Sequence, residues 1–153
     1  MSATSPWNAA LALLARRDRS EGELAARLRR KGFTEEEIAA TLERCREYGY
    51  LDDARFARQR ARSLVSNGRA VGGRLRAELK QQGIDEELAR QAAEEVENDI
   101  DSDQLLAELL ERRFPGFSYA EADDRRRRRV IHYFLRRGFS FERILVHCKN
   151  ADT

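Results

Sequence analysis

A helix-ending signal occurs three times along this chain, and it constrains the fold more than any other feature. In each copy, two apolar residues stand eight and four positions before a glycine, and a large apolar residue follows it. The copies span residues 24–33, 75–84 and 130–139. Apolar residues four apart lie on one helix face, and a terminal glycine takes the left-handed conformation that closes a helix. The pattern predicts amphipathic helices that end at Gly32, Gly83 and Gly138.

A helix-starting signal follows each of these glycines. The residues at that position are Thr34, Asp85 and Ser140, whose side chains accept hydrogen bonds from the free amides of a helix start. Thr34 and Glu37 also match a capping box, in which side chains and backbone amides bond reciprocally. Arg143 prevents the same box after Ser140. Each glycine therefore marks a turn between two helices.

Apolar residues at helical spacing also precede each copy, which gives every copy an earlier helix as well as a closing one. In the first unit, Trp7, Ala10, Leu11 and Leu14 are expected to form the buried face of that earlier helix. We divide the chain into an N-terminal tail (1–8), repeat 1 (9–49), repeat 2 (50–101), repeat 3 (102–149) and a C-terminal tail (150–153).

A three-helix unit of this size buries only a small core by itself. Neighbouring repeats should therefore stack into an elongated array. The predicted fold class is all-α, with three tandem three-helix repeats. A single compact helical bundle is the alternative architecture.

Charged residues make up 37% of the chain, yet the net charge is only +2. Residues 102–153 are the basic end, with 11 basic and 8 acidic residues, and five of the basic residues form the run 125–129. A weak net charge argues against a histone-like coat for nucleic acid. It is compatible with a basic stripe on one face.

Several classes of site are not indicated by the residues. Cys45 and Cys148 are too few for a disulfide framework and follow apolar residues at helical spacing, so buried thiols are expected. His132 and His147 have no metal-ligand spacing with them. No phosphate-loop or nucleophile-elbow motif occurs. We predict no enzymatic activity, no metal and no cofactor.

The sequence also bears on location. No apolar stretch approaches the roughly 20 residues that a membrane span needs. The first residues do not match a signal peptide, because Arg16 and Arg17 follow the apolar stretch instead of preceding it. A cytoplasmic protein is therefore expected.

The segment that joins repeats 1 and 2 carries a family resemblance. It reads Gly49-Tyr50-Leu51-Asp52-Asp53-Ala54-Arg55-Phe56-Ala57. By itself this is a helix end followed by a capping aspartate. It also closely resembles the Gly-Tyr-Leu-Asp-Asp…Arg-Phe-Ala signature of RecX proteins. Further matches to the family pattern, in the correct order along residues 9–147, are Lys31-Gly32-Phe33, Gly83-Ile84-Asp85 and Arg137-Gly138-Phe139-Ser140. Residues 111–124 depart most from the pattern.

The resemblance implies a regulator that binds the RecA recombinase filament on single-stranded DNA. Such a regulator hinders filament extension and lowers the ATPase, strand-exchange and coprotease activities of RecA, in DNA repair, homologous recombination and the SOS response. The resemblance also implies a curved array lodged in the filament groove. We expect a monomer that contacts single-stranded DNA weakly or through RecA, with no membrane and no small-molecule substrate. Capping of filament ends and occupation of the groove both stay open.

Two groups of basic residues are candidate contacts for RecA or DNA. The first group is Arg125, Arg126, Arg127, Arg128 and Arg129, extended by Arg136 and Arg137. The second is Arg27, Arg29, Arg30 and Lys31. Five successive helical residues point to every side of a helix, so the run does not form one solvated face. The alternatives are structural: Glu121, Asp123 and Asp124 would neutralise the run, and cations before Gly32 would favour a helix C-terminus.

Other conspicuous residues have structural interpretations. Asp52 and Asp53 are expected to cap helices and not to act as catalytic carboxylates. The aromatic residues are expected to pack and not to stack on bases; they are Trp7, Tyr48, Tyr50 and Phe56.

Two rival functions are kept. A DNA-binding protein acting without RecA would use the glycine turns as helix-turn-helix motifs, although the acidic residues at 35–37 and 85–87 would repel phosphate. A helical adaptor unrelated to DNA is the other rival.

Overall fold

The structure, a computed structural model, describes residues 4–150, and these residues form nine α-helices and no strand. The helices are α1 (Pro6–Arg16), α2 (Glu21–Arg30), α3 (Glu35–Glu47), α4 (Asp53–Ser66), α5 (Gly72–Gln81), α6 (Glu86–Asp99), α7 (Ser102–Arg113), α8 (Asp124–Leu135) and α9 (Phe141–Asn150). Helices α1–α3, α4–α6 and α7–α9 pack as three successive units. This confirms the predicted all-α fold of three tandem three-helix repeats. The ends of the two tails, 1–3 and 151–153, lie outside the described residues.

The predicted helix ends are confirmed by the backbone. Gly32, Gly83 and Gly138 have φ values of 94°, 86° and 101°, the left-handed region that favours glycine. Complete capping boxes join Ser20 to Glu23 and Thr34 to Glu37. Local chemistry therefore sets where most of the helices begin and end.

The buried face of α1 differs from the prediction. Ala9, Ala10 and Leu13 are buried, whereas Trp7 and Leu14 are only partly buried at its edges. The face is rotated because α1 packs against both α2 and α3. The helix begins at Pro6, because Ser5 caps it and proline suits a first helical position.

Two separate apolar cores hold the repeats. The core of repeat 1 includes Leu24, Leu28, Ile38, Cys45 and Leu51. Repeats 2 and 3 share a second core, which runs without a break from the helices of repeat 2 into those of repeat 3. Stacking therefore has a different physical basis at the two junctions.

The second helices of the repeats, α2, α5 and α8, meet end to end, and we call them the middle-helix row. At the first junction, the Ser20 hydroxyl at the start of α2 donates to the Gln82 carbonyl at the end of α5. A Cβ atom added to Gly22 would lie 2.9 Å from the Gly83 carbonyl oxygen. The two backbones are therefore in direct contact. A carboxylate oxygen of Asp53 also accepts a hydrogen bond from the Glu21 amide at 2.9 Å.

The second junction repeats the arrangement. The Val71 amide at the start of α5 donates to the Arg137 carbonyl after α8, at 2.8 Å. Val71 makes no side-chain cap, so this bond satisfies one of the free amides of the helix start. A Cβ on Gly138 would overlap the Val71 carbonyl. The end of α2 and the start of α8 are consequently the two free ends of the middle-helix row.

Candidate partner-binding surfaces

The arginine run lies in the first two turns of α8, and acidic neighbours neutralise only part of its charge. Asp123 is the N-cap residue, and its carboxylate accepts a hydrogen bond from the Arg126 amide at 2.8 Å. Asp124 lies 3.8 Å from the Arg127 guanidinium. Glu121, the third expected neutraliser, forms no ion pair within residues 4–150. The structural interpretation of the run thus accounts for Arg127 alone.

Arg127 stabilises a turn. Its guanidinium donates to the Tyr119 carbonyl at 2.7 Å and to the Ala120 carbonyl at 3.2 Å. It also lies 4.5 Å from the centre of the Tyr119 ring, a cation–π distance. These contacts fasten the segment before α8 to the helix, so the donors of Arg127 are already engaged.

The other four members of the run are exposed, and we call them the α8 arginine cluster: Arg125, Arg126, Arg128 and Arg129. None of them forms an ion pair with a carboxylate of the described part of the chain. Arg125, Arg126 and Arg129 line a surface pocket together with Arg113, Phe114, Pro115 and Asp123. Four guanidinium groups thus surround one depression that contains one carboxylate.

Arg113 was not among the predicted contacts. It is the last residue of α7, and ten residues separate it from α8, so no sequence periodicity links it to the run. The only local signal is the pair Arg112-Arg113 at a helix end, which the helix dipole alone explains.

The two predicted extensions of the run have different surroundings. Arg136 is exposed. Arg137 is half-buried, stacks 3.5 Å from the centre of the Tyr133 ring and donates to the Tyr133 carbonyl at 2.8 Å. Both residues stand at the second junction, at the opposite end of α8 from the arginine cluster. The structure therefore separates them from the pocket.

The second predicted group lies at the end of α2, and we call it the α2 basic cluster: Arg27, Arg29, Arg30 and Lys31. All four are exposed. Arg29 pairs with Glu35 at 2.5 Å, which raises the pKa of the arginine and lowers that of the glutamate. The other three form no ion pair within residues 4–150. This cluster and the α8 arginine cluster occupy opposite ends of the middle-helix row, so they do not merge into one patch.

Other kinds of site find little support in the described residues. No group of three or more His, Cys, Asp or Glu side chains among residues 4–150 is placed to hold a metal ion. Within the same residues, no helix is both long enough and apolar enough to cross a membrane. Cys45 and Cys148 are buried, as predicted, and burial raises the pKa of the Cys45 thiol.

Three family models match the chain in tandem. They describe the first, second and third three-helix domains of RecX, and they match residues 7–45, 52–92 and 100–145. The chain belongs to the RecX family. Among its curated relatives, the regulatory protein RecX of Syntrophotalea carbinolica is 50% identical over 137 residues, which cover 90% of each chain. That of Trichlorobacter lovleyi is 38% identical and covers 86% of this chain and 85% of its own.

Solved RecX structures have the same fold. The crystal structure of RecX from Lactobacillus salivarius superposes with a TM-score of 0.71 at 23% identity, covering 96% of this chain and 94% of the other. A second crystal structure, of a regulatory protein RecX, gives a TM-score of 0.72 at 22% identity and covers 93% of this chain and 69% of the other. The serial three-helix architecture is thus common to distant RecX proteins.

Residues 49–57, which resemble a RecX signature, contribute to the first junction. Gly49 ends α3 with a φ of 74°, and Asp52 caps α4 by accepting a hydrogen bond from the Arg55 amide. Asp53 instead accepts from the Glu21 amide, across the junction. Burial is the largest effect on its carboxyl group and raises the pKa, with further contributions from neighbouring acidic groups. Leu51 is buried in the core of repeat 1. The signature therefore links two repeats.

The aromatic residues near residues 49–57 differ in how far they are exposed. Phe56 and Trp7 are partly buried, as predicted. Tyr48 and Tyr50 are instead 57% and 46% exposed, and their rings stack on each other with centroids 5.6 Å apart. Arg44 lies 3.9 Å from the centre of the Trp7 ring. Both rings also pack against Trp7, with centroids 5.6 Å from Tyr48 and 6.2 Å from Tyr50, so the predicted packing occurs at the surface and leaves the two tyrosines exposed.

Proposed function

We propose that this RecX-family protein is a non-enzymatic regulator that binds the RecA filament on single-stranded DNA and inhibits its extension. Lower ATPase, strand-exchange and coprotease activities of RecA would follow. It would act in the cytoplasm as a monomer, in DNA repair, homologous recombination and the SOS response. Family membership supports the regulatory role. The observation that carries the contact with an anionic partner is the arginine-lined pocket at the start of α8.

The chemistry of that pocket favours an anionic partner. Arg113, Arg125, Arg126 and Arg129 repel one another in the free protein, and Asp123 is the one acidic residue that lines the pocket with them. A carboxylate or phosphate placed among them would accept short, bidentate hydrogen bonds from the planar guanidinium groups. Exposed cations also accelerate the encounter with a polyanionic assembly. Arg128, on another side of the helix, would contribute to this steering.

ATP hydrolysis by RecA on single-stranded DNA tests the proposal. Wild-type protein should slow hydrolysis at substoichiometric amounts. Replacing Arg125, Arg126 and Arg129 with Ala should raise the concentration needed for half-inhibition by at least roughly tenfold, because several charge-assisted contacts are lost together.

The matched control replaces Arg58, Arg69 and Arg76 with Ala. These three arginines are also exposed, lack ion pairs within the described residues and belong to repeat 2. The control removes the same charge and should inhibit like the wild type. Absence of inhibition by the wild type at any ratio would exclude the proposed function.

Binding of DNA without RecA is the alternative, since the same arginines suit phosphate. Exposed acidic side chains follow two of the glycine turns, at 35–37 and at 85–87, and they would repel a DNA backbone there. We therefore expect only weak DNA binding that falls steeply with salt. Tight, sequence-specific binding that resists salt would favour the alternative.

A further inference from the structure

The three glycine turns that end the middle helices are equivalent in sequence, but their surroundings differ. At the Gly83 turn, the Gln82 carbonyl accepts a hydrogen bond from the Ser20 hydroxyl at the start of α2. At the Gly138 turn, the Arg137 carbonyl accepts one from the Val71 amide at the start of α5. In both cases the occupant is the amino-terminal turn of a helix, which has donors to spare.

The Gly32 turn has no such occupant among residues 4–150. Lys31 stands at the position of Gln82 and Arg137, and its carbonyl accepts no hydrogen bond from these residues. A Cβ built on Gly32 would meet no atom of the described chain within 4 Å, whereas one on Gly83 would lie 2.8 Å from the Ser20 hydroxyl oxygen. The backbone geometry of the turn is present, but it is uncovered.

Side chains around the Gly32 turn complete a possible docking site. A surface pocket beside it is lined by Thr4, Ala9, Ala12, Leu13, Arg16, Lys31 and Phe33. This pocket offers apolar atoms for one side chain of a partner, and its cations offer ion pairs. Arg30, next to Lys31, adds a further exposed cation.

We propose that the Gly32 turn binds the amino-terminal turn of a helix of a partner protein, one with acidic residues in that first turn. Binding would reproduce the contact that the chain makes twice internally, with the Lys31 carbonyl as the acceptor. The proposal rests on the proposed function, because the RecA filament is the partner on which it is tested. It adds a second contact surface at the opposite end of the middle-helix row from the α8 arginine cluster.

The chemistry of the turn decides among possible occupants. Carbonyl oxygens need donors, so a DNA phosphate, which offers only acceptors, does not pair with them. A second copy of this chain would present its own free helix start, that of α8. The arginines of that start would face Arg30 and Lys31, and like charges would oppose the contact. Acidic residues, by contrast, are favoured in the first turn of a helix and would pair with these cations.

The decisive substitution is Gly32→Asn, which places a side chain where the partner helix would dock. Asparagine is one of the few residues that tolerate a positive φ. Affinity for RecA filaments on single-stranded DNA, measured by fluorescence anisotropy, should fall roughly tenfold or more, as expected for a blocked contact in the centre of an interface. Gly49→Asn is the matched control: Gly49 has a φ of 74°, an equally open Cβ position, and lies in the same repeat. Its affinity should stay unchanged.

A second pair of variants tests the charge without straining the backbone. Lys31→Glu should weaken filament binding several-fold, whereas Arg76→Glu, the same charge change at an exposed arginine of the middle helix α5, should not. Helicity measured by circular dichroism identifies any misfolded variant.

Three results overturn the inference. One is filament binding by Gly32→Asn and Lys31→Glu that equals the wild type. Another is an equal loss for each control. The third is weaker binding of naked DNA by both variants in parallel with the filament. Wild-type protein that does not bind filaments at all contradicts the proposed function instead, so the two failures are distinguishable.

Discussion

The two junctions between repeats use the same end-to-end contact of middle helices but differ in what surrounds it. Repeats 2 and 3 share one apolar core, so burial of side chains adds to the hydrogen bond between Val71 and Arg137. Repeat 1 has its own core, and its junction relies on polar contacts and on the close approach of Gly22 to Gly83. A hydrogen bond contributes only about 0.5–1.5 kcal/mol net. The comparison teaches that repeats 2 and 3 should unfold together, whereas repeat 1 is joined more weakly.

Truncating the shared core should have the largest effect. Leu109 is fully buried, and its side chain touches the Gly68 turn of repeat 2. Leu109→Ala should lower the free energy of unfolding by about 2–5 kcal/mol, through lost burial and a residual cavity. Urea denaturation followed by circular dichroism measures the change. A loss below about 1 kcal/mol would show that repeats 2 and 3 do not depend on one core.

The glycine turns allow the stability of the second junction, at Gly138, to be compared with that of the uncovered turn at Gly32. Alanine at Gly138 and at Gly32 suffers the same strain of a positive φ, but only at Gly138 would the Cβ overlap the Val71 carbonyl. Gly138→Ala should therefore lower the free energy of unfolding by about 1–3 kcal/mol more than Gly32→Ala, as for other overpacked sites. Equal losses of stability in thermal denaturation would mean that the backbone at the junction shifts to accept the added Cβ without losing stability.

A smaller effect is expected at the first junction. Gly22→Ala places a Cβ 2.9 Å from backbone atoms of Gly83, whereas the Cβ of Gly73→Ala meets nothing within 4 Å. Within a helix, alanine is favoured over glycine by about 1 kcal/mol, so both substitutions should favour the helical conformation. Gly73→Ala should therefore stabilise the protein, while Gly22→Ala should gain nothing and loosen the junction. Faster hydrogen exchange of the Glu21 amide would report that loosening, and equal stabilisation by both would contradict it.

The smallest effect concerns the pH dependence of the first junction. Burial raises the pKa of Asp53 above its ordinary value, so folding disfavours the ionised carboxylate. Stability from this group is therefore present at low pH and is lost as the pH rises through the folded-state pKa. Asp53→Asn keeps an oxygen acceptor for the Glu21 amide without the charge. At pH 7 it should raise the free energy of unfolding by less than about 1 kcal/mol. This gain would appear as a slightly higher melting temperature.

The difference from the wild type should shrink as the pH falls towards 3. An advantage of Asp53→Asn that grows towards low pH would reverse the assigned sign.

Features set by neighbours in the sequence were predictable, whereas those set by distant contacts were not. The capping box of Thr34 and Glu37 and the left-handed Gly32 involve residues within one turn of each other, so the sequence pattern located them correctly. The bond from Val71 to Arg137 joins residues that no periodicity relates. The rotated face of α1 likewise depends on two packing partners.

The candidate binding surfaces were likewise predictable only in part from the sequence. The arginine run was visible in the sequence, but its division into the engaged Arg127 and four exposed residues depends on the turn that carries Tyr119. Arg113 joins the pocket only because the end of α7 comes close to the start of α8. Charge can be read from a sequence, whereas the partners of each charge require the fold.

The end-to-end order of the middle helices gives the molecule a direction. Helix dipoles aligned head to tail leave a positive pole with surplus amides at one tip and a negative pole with surplus carbonyls at the other. The two tips are therefore chemically different: one offers hydrogen-bond donors and the other offers acceptors. A filament of identical subunits also has two unlike ends. If the proposed filament binding holds, the order of the repeats along the chain would set a single orientation of the protein on that filament.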